Sequence, residues 1–143
     1  MLISSKSTEK LSKRLAEAGE VFCSGLFLSA RWFVLAQLNH ESPQLVMLPD
    51  KDSAEYCAAD LYNLIDGDRV FFLPDSGRNL ERSNYKASIS VQRTAAVGRL
   101  MDGNKINELI IVTYPAAMSE KVPAADSIRE SLMKLSVGDE ISH

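Results

Sequence analysis

The chain is poor in the residues on which most catalytic chemistry depends. Of its 143 residues two are histidine, His40 and His143, and two are cysteine, Cys23 and Cys57, far apart and without a CxxC spacing. A histidine-based metal site or a Ser-His-Asp triad has only His40 to draw on, and no disulfide framework is available. Long membrane-type runs are missing as well: the uncharged tract Val21 to Ala30 stops at Arg31, too short to span a bilayer. Lys6, Glu9 and Lys10 interrupt any signal-peptide pattern, so a reducing cytoplasm and no membrane partner are expected. Charge of one sign is also lacking. Sixteen Lys and Arg against nineteen Asp and Glu give a net charge of -3, which argues against nucleic-acid or membrane binding by the chain as a whole. Seven glycines and five prolines are too few for collagenous or low-complexity sequence.

What is present is a globular composition, 45% hydrophobic and 24% charged, at a length that suits one domain burying roughly two thirds of its unfolded surface. Residues 7–19 place Leu11, Leu15 and Ala18 on one face and end at Gly19, which predicts an amphipathic helix. Val21 to Leu26 is a short apolar run broken at Gly25 and predicts a first strand. Ser29 then caps a helix from Ala30 to Leu38. That helix is apolar on nearly every side, so a central place with Trp32 and Phe33 in the core is expected.

Three further runs share one pattern, a continuous apolar stretch stopped by proline: Gln44 to Pro49, Arg69 to Pro74 and Leu109 to Pro115. Each predicts a buried strand. After the first, Asp52 with Glu55, or Ser53, can cap a helix whose stripe is Ala54, Cys57, Ala58, Leu61, Leu64 and Ile65, closed by Gly67. A polar loop from Asp75 to Asn84 leads into a helix from about Ser88 to Met101 bearing Ile89, Ala96, Val97 and Leu100. A short helix from Ala116 to Lys121 follows, and Ser131 to Leu135 reads as a strand or a helix end, the strand being preferred. Strand and helix alternate, which predicts an α/β fold of three layers, a parallel sheet with helices on both faces.

The turn from Gly25 to Trp32 stands where nucleotide-binding α/β proteins hold phosphate. A phosphate loop reads G-x-x-x-x-G-K-[ST]: glycines admit the phosphates to backbone N–H groups, lysine neutralises them, and the hydroxyl holds magnesium. Here Gly25 fits the first position, but Ala30, Arg31 and Trp32 occupy the others. A degenerate phosphate loop without cofactor is the reading, with a structural turn preferred to a nucleotide site. The acidic pair that would hold magnesium is missing as well; the Asp139-Glu140 pair follows a Ser-Val-Gly turn and reads as a cap. No catalytic residue, metal ligand or cofactor is expected. Residues 76–105 carry Arg78, Arg82, Lys86, Arg93, Arg99 and Lys105 against Glu81 and Asp102, a balance of +4 that leaves -7 elsewhere. Arg78, Arg82, Lys86 and Arg93 form a possible contact surface for phosphates or an acidic partner, although a solvated face is the commoner outcome. His40 reads as a polar helix end, and Cys23 and Cys57 as inert core thiols.

The stretches Gly25 to Arg31, Leu45 to Ala54, Val70 to Pro74, Ile110 to Ala117 and Leu132 to Glu140, in this order, resemble the N-terminal UvrB-like module of the bacterial transcription-repair coupling factors (the Mfd family). The resemblance covers nearly the whole chain from about residue 20. It implies a degenerate RecA-like phosphate-loop domain, similar to subdomain 1a of UvrB, over residues 21–130. Residues 1–20 would form a helical extension and residues 131–143 the lead into the next, UvrA-binding subdomain. It explains the altered phosphate loop, since UvrB-like proteins bind ATP there and the coupling factors do not. The tyrosine-rich, DNA-clamping hairpin of UvrB has only a short counterpart here, Ser76 to Ser88 with Tyr85. The implied role is a non-catalytic scaffold in transcription-coupled nucleotide excision repair. UvrA would be reached through the adjoining subdomain, and RNA polymerase and DNA through other domains of a parent that is an ATP-dependent translocase. A stand-alone α/β nucleotide or small-molecule binding protein, or a weak nucleic-acid-binding module, are the alternatives.

Overall fold

A computed structural model describes residues 6–38, 43–77, 83–102, 106–122, 124 and 126–127. The elements are α1 (Lys6–Ala18), α2 (Ala30–Gln37), β1 (Gln44–Met47), α3 (Lys51–Leu64), β2 (Val70–Phe72), α4 (Ser83–Asp102), β3 (Ile110–Thr113) and α5 (Pro115–Met118). They build a small α/β domain around a three-stranded parallel sheet in the order β1-β3-β2. Leu45 and Phe71 flank Ile111 in register, and Val46 and Phe72 flank Val112. Residues one apart point to opposite faces, so the two sides of the sheet carry two cores.

The larger core lies under α2, α3 and α5. Trp32, Ala54, Cys57, Ala58, Leu61, Val70, Phe72, Ile110, Val112, Tyr114 and Ala117 pack there in one cluster. The predicted stripe on α3 is borne out, since Ala54, Cys57, Ala58 and Leu61 are all buried. Its cap is Asp50 instead of Asp52 or Ser53: the Asp50 carboxylate accepts the Ser53 N–H at 2.8 Å and the Ser53 hydroxyl at 3.0 Å. The helix stops at Leu64 with Ile65 as its cap residue, and Gly67 opens a 3-10 turn through Arg69. On the opposite face α4 brings Ala96, Val97 and Leu100 against Phe71, Leu73 and Ile111.

β3 is buried at all four positions because it has a strand on each side and helices above and below. β1, expected to be equally buried, lies at the edge and alternates. Val46 turns toward the larger core while Leu45 and Met47 remain 54% and 52% exposed. The cause is the reach of α4, which packs on β2 and leaves that face of β1 open.

The largest departure from expectation is the first strand. Residues 21–26 form no strand and belong to no sheet. Both sides of β3 are taken by β1 and β2, so a further strand would have only an outer edge on which to pair. Gly19 just before the segment and Gly25 within it also take φ +70° and +79°, the left-handed region where extended backbone breaks off. Phe22, Phe27 and Leu28 stand 93%, 79% and 86% exposed, and Cys23 is exposed where a core thiol was expected. α2 is likewise less central than its composition suggested. It packs on α3 through Trp32 and leaves Phe33 outward.

α4 begins at Ser83, five residues before the expected start, because its first turn offers only Tyr85 among polar residues, too little for periodicity to register. α5 spans Pro115–Met118, with proline in its first turn. The predicted strand at Ser131 to Leu135, the Asp139-Glu140 pair and His40 lie outside the described residues. Among the described residues no helix is long and apolar enough to cross a membrane.

Candidate functional site

The start of α2 is the turn at which a phosphate loop would stand. Gly25 keeps a positive φ, and a Cβ there would meet nothing within 4 Å, so the glycine serves a turn and not a close approach. Leu28 also takes a positive φ, +48°, an uncommon conformation for a branched side chain. The amide of Ala30 donates to the Phe27 carbonyl at 3.0 Å, and those of Trp32 and Phe33 donate to the Ser29 carbonyl at 2.9 and 3.2 Å. Three of the N–H groups that could cradle a phosphate are thus used within the turn.

Ser29 sits at the predicted cap position, yet its hydroxyl makes no capping bond. It donates to the Asp60 carboxylate of α3 at 2.6 Å. Arg31, at the lysine position of the motif, lies over the Trp32 ring at 4.3 Å from its centroid, a cation–π contact that also covers the ring. An anionic side chain therefore stands at the start of α2, where a phosphate would need positive potential. Beneath it, burial pushes the Cys57 thiol up to about 12, with smaller opposing influences from Arg31 and Asp60. Such a thiol is unreactive, as the sequence reading expected.

Asp60 was not singled out from the sequence. The only sign was an acidic residue near the apolar stripe of a helix, and its partner lies 31 residues away.

The second polar constellation lies at the C-terminal ends of β2 and β3. In open α/β sheets ligands bind beyond these ends, where successive connections leave on opposite faces. Here α4 follows β2 on one face and α5 follows β3 on the other. The Thr113 hydroxyl, fully buried, donates to the Leu73 carbonyl at 2.9 Å. The Asp75 N–H donates to the Tyr114 hydroxyl at 3.0 Å, and the Asp75 carboxylate accepts the Gly77 N–H at 2.9 Å. Burial, chiefly, raises the Tyr114 hydroxyl above its ordinary value, with neighbouring Asp75 and Lys51 contributing in smaller and mixed directions.

Arg93 belongs to this network. Its guanidinium donates to the Pro74 carbonyl and pairs with Glu120 at 3.3 Å, with only 15% of the side chain exposed. The expected place for Arg93 on a free contact surface is thereby corrected: the α4 backbone turns it inward, and it ties α4 to the loop after β2. Arg78 and Arg82 lie outside the described residues, as does the side chain of Lys86. Among the described residues no group of three or more His, Cys, Asp or Glu is arranged to hold a metal ion. An open concavity of about 440 Å³ beside α1 is lined by Arg14, Glu17, Ala18, Glu20, Val21 and Phe22, a mixed charged and apolar surface. Compared with models of protein families, with curated protein sequences and with solved structures, the chain matches none.

Proposed function

We propose that this chain is a non-catalytic scaffold and interaction module of the transcription-repair coupling type, with a degenerate RecA-like core. The observation that carries the reading is the start of α2. Asp60 and Ser29 close the helix end against an anion, Arg31 is stacked on Trp32, and the preceding Phe22, Phe27 and Leu28 face solvent. Apolar side chains of that size on a surface suit contact with a neighbouring domain better than contact with a nucleotide. The open face of β1 at Leu45 and Met47 offers a second apolar contact of the same kind. UvrA recruitment then falls to an adjoining subdomain that this module supports, and ATP turnover and DNA tracking to motor domains of the parent protein.

Calorimetry of the chain with Mg-ATP tests the reading. No binding is expected, whereas micromolar affinity would overturn it in favour of a nucleotide-binding enzyme. In a full-length parent, Arg31→Ala should leave ATP-driven displacement of stalled RNA polymerase unchanged; loss of that activity would count against a non-catalytic module.

A further inference from the structure

The loop after β2 holds an anion already, and that anion is part of the chain. Glu120 presents its carboxylate to three donors from two elements. The Ser76 N–H reaches Oε2 at 2.8 Å, the Ser76 hydroxyl reaches Oε1 at 2.7 Å, and Arg93 Nη1 approaches Oε2 at 3.3 Å. A backbone amide, a hydroxyl and a guanidinium converging on one oxyanion is the donor set that recognises phosphate and carboxylate ligands. The residues around Ser76 and the Arg93 guanidinium are also held by contacts that do not involve Glu120. Arg93 is also anchored to the Pro74 carbonyl, Gly77 at φ +59° is held by Asp75, and Asp75 is held by Tyr114. It stands where the connections after β2 and β3 part to opposite faces, the usual ligand position of such sheets.

Glu120 reaches this cradle from the segment that follows α5. It lies just past the single turn of α5, in a bend, and keeps 22% of its side chain exposed. We propose that Ser76 and Arg93 form an oxyanion-binding site that Glu120 keeps closed, and that a phosphate or carboxylate group enters when Glu120 swings out. The site is separate from the start of α2 and does not depend on how that turn is read. Its apparent affinity is the intrinsic affinity reduced by the fraction of molecules with Glu120 displaced.

The test is a titration with inorganic phosphate at constant ionic strength, followed by the amide resonances of Ser76 and Gly77, in the wild type and in Glu120→Ala. The variant should bind at least about tenfold more tightly than the wild type, and adding Arg93→Met to it should abolish the response. Glu120→Gln, which keeps the shape of the side chain and loses its charge, should also bind more tightly and serves where the alanine variant does not fold. Equal affinities in wild type and variants, or no response in either variant, would overturn the proposal. A parallel titration with acetate distinguishes the sources: preference for phosphate assigns a phosphate ester, and preference for acetate assigns a carboxylate ligand.

Discussion

Two apolar stretches of this chain, Val21 to Leu28 and Leu109 to Tyr114, are built from similar residues and meet opposite fates. The second becomes β3, with a strand on either side and Ile110, Ile111, Val112 and Thr113 all buried. The first lies in solvent, with Phe22 and Leu28 almost wholly exposed. Apolar composition does not separate them. What separates them is whether a neighbour is free to take their hydrogen bonds and cover their side chains, which is why strand propensity depends so strongly on context. With the first segment outside the sheet, the turn at Gly25 is no strand-to-helix phosphate loop, and its large side chains become surface.

One cysteine lies in the first stretch and the other, on α3, packs against the second, and the two thiols should show the largest contrast. Cys23 is exposed, while Cys57 lies in the cluster that includes Ile110 and Val112. A thiol reagent such as dithionitrobenzoate should modify Cys23 at once. Cys57 should react more than about a thousandfold more slowly if it is reached only by opening the core; comparable rates would break the comparison.

Substitution comes next in size. Ile110→Ala should cost about 2–5 kcal/mol in urea unfolding, whereas Phe22→Ser should stay within about 0.5 kcal/mol. A large loss from Phe22→Ser would mean that the first segment is packed after all. Within β3, Thr113→Val removes the hydroxyl that donates to Leu73 and should cost about 1 kcal/mol.

A further contrast lies in the pH dependence of stability. Cys57 and Tyr114 both have raised values on folding. The unfolded chain therefore releases its Cys57 proton near pH 9 while the folded chain keeps it until about pH 12. Stability from this source is complete below pH 9 and lost as pH rises toward 12, so the melting temperature should fall across that window. Cys57→Ala should flatten the fall.

Much of the sheet was legible because its strands announce themselves by apolar runs stopped at Pro49, Pro74 and Pro115. The stripe on α3 was legible for the same reason, since four of its members meet one core. Val21 to Leu26 carried a weaker version of the strand signal, without a terminal proline and with Gly25 inside it, and the sequence offered no means of seeing that β3 had no free side. Nor could pattern reveal which way Arg93 points. The site networks were hidden more completely. Ser29 meets Asp60 and Ser76 meets Glu120 across 31 and 44 residues, and single polar residues carry no periodicity that would pair them. The Gly25 motif was visible because it is local, and the feature that annuls it is not.

Native-state amide hydrogen exchange tests the central claim most directly, because it reads both apolar stretches in one sample. The amides of Ile110 to Thr113 should be among the slowest to exchange, and those of Val21 to Leu26 should exchange near the rate of an unstructured peptide. Strand-like protection across Val21 to Leu26 would contradict the account and restore a phosphate-loop turn at Gly25.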